Sequence, residues 1–189
     1  RHVGERQFHS VLQGLAHLVG HRSVGGLVGR QQLVGHHACL GHGLRVALCG
    51  GRSPLERSTT DAIVAAMREP ALDLVGKDTL KQFLAMAQRA VALVTPDSGP
   101  MHMANAMGTP VIGLHAASNP ARSGPYSSRQ WCVDRYDAAA RRFRGKPAAA
   151  LPWGSKLEYP GVMDLVETDA AIERLDALLA SPQAGRALP

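Results

Sequence analysis

The sequence predicts an α/β fold, a parallel sheet with helices packed against it, on three observations. Residues 91–114 read as strand, tight polar loop, helix and strand, the unit from which such sheets are wound. Two more strand–helix units precede it, starting at Arg45 and Leu72, so the pattern advances by about twenty residues per strand. Gly, Pro, Ser and Thr stand at the borders of these units, where helices begin and end.

Arg45-Val46-Ala47-Leu48-Cys49 predicts the first of these strands, and Gly50-Gly51 turns the chain at its carboxyl end. Ser53 is a candidate N-cap, with Pro54 at the first helical position and Glu56 three residues past the cap, the pattern of a capping box. This helix is predicted to run to about Arg68, with Ile63, Val64 and Met67 inward, and to end at Glu69-Pro70. Leu72–Val75 predicts the next strand and Gly76-Lys77-Asp78 its exit loop. Thr79 caps a helix from Leu80 to about Arg89, whose buried stripe is Leu80, Phe83, Leu84 and Ala87.

Val91–Val94 is a short apolar run of the kind found in buried strands. Thr95 to Gly99 forms a polar turn, and Pro100–Met107 has helical spacing, with Met101 and Ala104 on one face and Gly108 at the C-terminal end. Thr109-Pro110 breaks that helix, and Val111–Leu114 predicts another strand. Ser118 to Tyr126 is a long loop at the same edge, and Trp131-Cys132-Val133 reads as a short strand. Ala138 to Pro160, rich in Ala, Arg and Pro, predicts an irregular excursion. Thr168 or Asp169 caps a last helix through about Ala180, with Ile172, Leu175, Leu178 and Leu179 inward, and residues 182–189 form a frayed tail.

Residues 1–44 differ in kind. They hold seven of the nine histidines and nine of the twenty glycines, their one acid is Glu5, and they contain no Lys, Pro, Thr or Ile. Val11, Leu12, Leu15, Leu18 and Val19 fit one helical face, and glycines interrupt every pattern after Gly20. His17 and His21 would share a helix face with His36-His37 nearby, which suggests a metal site, but no carboxylate follows in the manner of HExxH.

At 189 residues the chain can bury a substantial core. No run approaches about 18 uninterrupted apolar residues, so no membrane span is predicted. There is no secretory signal pattern, and the first residue is Arg, which suggests a fragment or processed chain. Cys39, Cys49 and Cys132 lack metal-ligand spacing and fit reduced thiols. A net charge of +6 suits an anionic partner such as a nucleotide diphosphate, lipid phosphates, an anionic membrane or nucleic acid. The densest basic run, Arg141 to Lys146, reads as a phosphate contact or a solvated loop. The few aromatic residues are scattered and offer no stacking platform for single-stranded nucleic acid.

The chemistry of such a fold gathers beyond the carboxyl ends of its strands. Asp97-Ser98-Gly99 is such an end and opens a helix, whose first N–H groups and dipole favour an anion. Gly99 lets a ligand approach the backbone, Ser98 offers a hydroxyl, and Asp97 suits neutral hydroxyls beside a phosphate. The other reading is that Asp97 or Ser98 simply caps the helix. His102 lies one turn into that helix, and His115 ends the next strand.

Asp97, Ser98, Gly99, His102, Ala104, Ala106, Gly108, Pro110, Pro120, Gly124, Pro125 and Tyr126 together make a pattern that resembles the donor-site signature of glycosyltransferase family 9, the ADP-heptose lipopolysaccharide heptosyltransferases. Ala116-Ala117-Ser118-Asn119 departs from it, since Gly and Thr are common there. The resemblance implies a Rossmann-like parallel sheet over residues 44–181, the C-terminal, donor-binding half of a two-domain GT-B enzyme. It implies inverting transfer: an Asp of the N-terminal domain deprotonates the acceptor hydroxyl, which attacks the anomeric carbon as ADP leaves. The implied donor-binding residues are Gly50, Gly51, Glu56, Lys77, Thr79, Asp97, Ser98, Gly99, Pro100, His102 and Arg122. Glu56 is either a ribose contact or a helix cap, and His102 is a candidate to assist the leaving diphosphate. No catalytic base, cofactor or metal is implied for this segment, and the chain contains no DxD.

The implied partners are ADP-heptose or a similar nucleotide sugar and, through the N-terminal domain, the lipopolysaccharide core; nucleic acid is not among them. The implied location is cytoplasmic, peripheral at the inner-membrane face. The chain is too short to hold both domains, so the expectation is weak donor binding without transfer by this segment alone. The family's upstream strand, basic phosphate contacts and Trp-Pro helix are not visible before Gly43. Residues 1–43 are therefore expected to be an out-of-register or fused segment, poorly ordered. The alternatives are another GT-B-like sugar-nucleotide enzyme (a UDP-sugar epimerase or hexosyltransferase) and a non-catalytic basic binding module.

Overall fold

The computed structural model describes residues 16–21, 44–67 and 70–183. Among the described residues six strands form one sheet in the order β3-β2-β1-β4-β5-β6. Strand β1 spans Ala16–His21 and β2 spans Leu44–Cys49; helix α1 (Pro54–Ala66) follows, then β3 (Leu72–Asp73) and α2 (Leu80–Arg89). Strand β4 (Ala92–Pro96), helix α3 (Gly99–Ala106) and β5 (Val111–His115) form the central unit. A four-residue helix α4 (Pro120–Ser123), β6 (Val133–Asp134), α5 (Tyr136–Arg144) and α6 (Thr168–Leu179) complete the chain, with short 3-10 turns between them.

Strands β2 and β3, β4 and β5, and β5 and β6 pair in parallel. Their middles are apolar on both faces, as a sheet covered by helices requires: Val46, Leu48, Leu93, Val111 and Ile112 are each 1% exposed or less. The two edge strands are only two residues long, which limits the unpaired edge they present. Helix α2 packs on α3, and α6 packs on β5 and β6.

Strand β1 departs from the expectation for its segment. It is a strand rather than part of a helix, and it runs antiparallel between β2 and β4, with Leu18 opposite both Ala47 and Leu93. Without it β2 and β4 would leave facing rows of N–H and C=O groups unpaired inside the sheet, and Val19-Gly20 resists a helix. Four residues along a strand span about 13 Å, so His17 and His21 are not the one-turn neighbours that the metal reading assumed. The other residues of that reading, His36 and His37, and the helical-face residues Val11, Leu12 and Leu15 lie outside the described residues, as do Arg68, Glu69 and the tail from residue 184. Helix α1 ends at Ala66, short of the expected Arg68, because the backbone is already extended at Met67 (ψ 140°).

The caps of α1 and α2 fall where the sequence places them. Ser53 and Glu56 form a complete capping box on α1, and Thr79 and Gln82 form one on α2. Gly108 takes the left-handed conformation (φ 81°) just past α3, and the Thr109 hydroxyl, 3% exposed, donates to the Ala87 carbonyl at 2.5 Å, which ties α3 to α2. Inward faces are narrower than predicted: Ile63, Phe83 and Ala87 are buried, but Val64 is 41% and Leu80 59% exposed, both at the margins of their helical stripes. Residues 129–131 form a 3-10 turn, so the strand starts only at Val133. Helix α6 begins one residue early, with Glu167 at the N-cap. The tail starts anchored, since the Trp131 indole donates to Gln183 Oε1 at 2.7 Å.

The largest correction is α5. The predicted irregular stretch, 138–160, begins inside a nine-residue helix that starts at Tyr136, buries Tyr136, Ala139 and Ala140, and is closed by Gly145 at φ 64°. Phe143 of α5 stacks on Tyr159 with ring centroids 5.1 Å apart and planes 3° from parallel.

Gly113 in β5 has no room for a side chain: a Cβ there would lie 2.8 Å from His115 Nε2 and 3.0 Å from Cys132 Sγ. Gly113→Ala should therefore destabilise by about 1–3 kcal/mol, a fall of roughly 2–10 °C in Tm. An unchanged Tm in thermal unfolding would show that the His115 and Cys132 side chains yield freely.

Candidate functional site

All exit loops of the parallel strands lie on one edge of the sheet, and ten of the eleven candidate residues lie in or beside those of β2, β3 and β4. They fall into two groups. The first comprises Gly50, Gly51, Glu56, Lys77 and Thr79, beyond β2 and β3. The second comprises Asp97, Ser98, Gly99, Pro100 and His102, beyond β4. Strand β1 stands between, so the groups are two strand spacings apart, about 10 Å.

In the first group the polar side chains are already engaged. Glu56 accepts from Gly51 N–H at 2.8 Å and from the Ser53 hydroxyl at 2.5 Å, fixing the turn after β2. Gly76 N–H donates to the Gly50 carbonyl at 3.0 Å, joining the β2 and β3 loops. Lys77 Nζ donates to Asp73 Oδ2 at 2.6 Å and to the Asp73 carbonyl at 3.1 Å. Arg57 also holds Asp73, at 3.0 Å to both carboxylate oxygens. Burial pushes the Asp73 carboxyl up, but the bonds from Lys77 and Arg57 outweigh it and hold it below the usual range. The Thr79 hydroxyl serves the capping box of α2. This group forms the firm frame of the edge.

The second group is more open. Ser98 is the N-cap residue of α3, yet its hydroxyl makes no capping bond; it pairs with Thr95 Oγ1 at 3.1 Å. The helix N-terminus is thus left without a side-chain cap. A Cβ at Gly99 would find nothing nearer than Met103 Cε at 3.6 Å, so packing does not require a glycine there, whereas close approach of a ligand would. Pro100 starts the helix, where its missing N–H costs nothing. Asp97 has a side chain only 20% exposed. One of its oxygens accepts from the Ser123 hydroxyl at 2.7 Å, and the other lies 3.8 Å from His102 Nε2. The His102 side chain is 56% exposed and free to meet a ligand beside Asp97.

Arg122 lies on α4, near this group, with its guanidinium laid against Gly154, which is held at φ 93°. His115 is a core residue: it is fully buried, its Nδ1 is 3.2 Å from Ser118 Oγ, and its Nε2 has no hydrogen-bond partner. Burial lowers its pKa and keeps the ring neutral. Burial, with Asp78 adding, pushes the Cys49 thiol up to about 12, and burial pushes Cys132 up to about 11, so neither is poised as a thiolate nucleophile.

Two residues absent from the sequence reading complete the second group. Ser123 comes from 26 positions further along the chain and holds Asp97 in place. Lys156, from the segment after α5, lines a shallow, open pocket together with Pro96, Asp97, Leu114, Ala117, Ser118 and Met163. Neither carries a local sequence signal, because both depend on a long-range contact.

The model of glycosyltransferase family 9 (heptosyltransferase) matches residues 36–151. The lipopolysaccharide core heptosyltransferase OpsX of Haemophilus influenzae is 34% identical over 137 residues, which is 72% of this chain and 40% of that protein. Lipooligosaccharide heptosyltransferase 2 of the same organism is 27% identical over 140 residues, 73% of this chain and 38% of that one. Among solved structures, a family 9 glycosyl transferase of Veillonella parvula matches with a TM-score of 0.56 at 19% identity, over 93% of this chain and 41% of its own. The ADP-heptose lipopolysaccharide heptosyltransferase II of E. coli matches with a TM-score of 0.56 at 23% identity, over 78% and 40%. The chain thus spans about 40% of the length of the curated relatives it matches. At these identities the structural matches speak for the fold.

The Asp73 network gives the first group a pH signature. A carboxyl whose folded pKa lies below its ordinary value of 3.8 contributes stability above that value and loses it as pH falls through the folded pKa. Asp73→Asn should lower Tm by about 2–4 °C at pH 7, on roughly 1 kcal/mol for two partly exposed ion pairs. The gap should hold down to about pH 5 and narrow below pH 4. A gap independent of pH would mean that the carboxylate charge contributes nothing.

Proposed function

The chain belongs to glycosyltransferase family 9, and on that premise we propose that residues 44–181 form the donor-binding, Rossmann-like C-terminal half of a GT-B heptosyltransferase. The donor is an ADP-sugar, and the reaction is inverting transfer of heptose to the lipopolysaccharide core. The observation that carries this reading is the Asp97-Ser98-Gly99 loop with His102 beside it, at the carboxyl edge of the sheet and inside the family match.

In this reading the nucleotide lies over the β2 and β3 loops and the sugar over β4, a span of about 10 Å. Asp97 keeps one oxygen on Ser123 and uses the other to accept from a sugar hydroxyl. The open N-terminus of α3 and the space at Gly99 receive a phosphate, which the helix dipole favours. His102 hydrogen-bonds the leaving diphosphate and stabilises the charge that builds there. The base that deprotonates the acceptor belongs to the other domain of the fold, and the part that residues 44–181 play is to bind the donor. Among the described residues no helix is long and apolar enough to cross a membrane. The proposed place of action is the cytoplasmic face of the inner membrane, as a peripheral protein.

Asp97→Asn tests the assignment without losing the Ser123 bond, because the amide oxygen can still accept it. Calorimetric titration should show ADP-heptose binding weakened about tenfold or more, with ADP changed less than about twofold. Equal binding of ADP-heptose by both proteins would remove the sugar contact from Asp97. Tighter binding of UDP-sugars than ADP-sugars would move the chain to a different donor.

A further inference from the structure

The segment between α5 and α6 folds back over the candidate site, and nothing in the sequence pattern foretold it. Leu157 is fully buried, and its N–H donates to the Ala117 carbonyl at 2.8 Å, just past the end of β5. One residue before Lys156, the Ser155 carbonyl accepts from the Tyr136 hydroxyl at 2.8 Å. Gly154 takes a left-handed conformation that brings its backbone against the Arg122 side chain. Further on, Val162 is fully buried. Lys156 therefore sits between two anchored neighbours, on backbone whose position is fixed.

Its side chain is treated differently. The nearest ion-pair contact of Lys156 Nζ is Glu158 Oε1 at 4.0 Å, too far for a hydrogen bond, and the Lys156 side chain is 56% exposed. Lys156 lines the same pocket as Asp97. A rigidly placed backbone thus carries an ammonium with no hydrogen bond in the fold to a pocket that Asp97 also lines. Those two charges suit two parts of one molecule. A carboxylate accepts from neutral hydroxyls and repels phosphate; an ammonium does the reverse, and lysine is a common point-charge partner of phosphate.

We infer that Lys156 is a donor-binding residue that contacts the diphosphate of a nucleoside diphosphate sugar whose sugar hydroxyls are held by Asp97. The inference rests on the donor-site reading above and adds a wall to that site, the segment 152–163, which lies beyond the residues matched by the family model. Lys156 and the N-terminus of α3 then approach the diphosphate from different elements, so its charge is met in part by a group that the strand–loop–helix signature does not contain.

The test compares Lys156→Gln and Lys156→Arg with the unaltered full chain, titrated calorimetrically with ADP and with adenosine at fixed ionic strength. Lys156→Gln should weaken ADP binding about ten- to a hundredfold, the worth of a charge-assisted hydrogen bond, and leave adenosine within about twofold. Lys156→Arg should recover most of the loss, and the Tm of both variants should stay unchanged, because the side chain makes no hydrogen bond within the fold. If Lys156→Gln binds ADP as the unaltered chain does, the inference is overturned and the donor-site reading stands. Equal loss of ADP and adenosine also overturns it, since the segment would then hold the nucleoside instead of the phosphates. If the unaltered chain binds neither ADP nor ADP-sugar, the donor-site reading fails and this inference fails with it.

Discussion

Strands β2, β3, β4 and β5 run the same way, and that common direction forces their exit loops onto one edge of the sheet. Everything chemical about the molecule depends on this constraint. Residues as far apart in sequence as Gly51, Asp97 and Ser118 become parts of one surface. The constraint holds because the strand middles are apolar on both faces, so the sheet must be covered by helices, and each helix must return the chain to the same end. Even β1, which runs the other way, serves it: by pairing with both β2 and β4 it keeps the two halves of the edge at a fixed spacing.

Along that edge the two groups divide the work between stiffness and openness. Beyond β2 and β3, carboxylates and cations satisfy one another: Glu56 closes the Gly51 turn, and Asp73 collects Arg57 and Lys77. Beyond β4 the polar groups are held by one side only. Asp97 is fixed through one oxygen by Ser123 while the other faces His102 across 3.8 Å, and α3 begins without a side-chain cap. Binding an anion there costs little reorganisation, because the dipole and the donors already point at it. A largely buried carboxylate beside an uncapped helix N-terminus is unfavourable for phosphate alone, and suits a ligand that also carries hydroxyl groups.

Much of this was legible in the sequence because it is local. Capping boxes at Ser53 and Thr79, the glycine after α3, and the apolar runs of β2, β4 and β5 each have their cause within a few residues. The Asp97 loop was legible for the same reason. Helix α5 was missed although Tyr136, Ala139, Ala140 and Phe143 have helical spacing: two of the four are alanines, too small to mark a stripe among arginines. Leu80 and Val64 fit the inward stripe by spacing yet are exposed, because periodicity does not say where a packed face stops. Strand β1 follows from the vacancy between β2 and β4, which is a property of the sheet and not of Ala16–His21. Ser123 and Lys156 reach the site through contacts 26 or more residues away in the chain, and no spacing rule carries that information.

The central claim, that this edge receives a nucleoside diphosphate sugar with the sugar at β4, is tested most directly by a crystal structure of the full chain with a non-transferable fluorinated ADP-sugar. The account predicts a sugar hydroxyl within hydrogen-bonding distance of the Asp97 oxygen that faces His102, and a phosphate at the N-terminus of α3. A ligand bound with its base at β4 and its sugar over β2, or bound away from this edge, would contradict it.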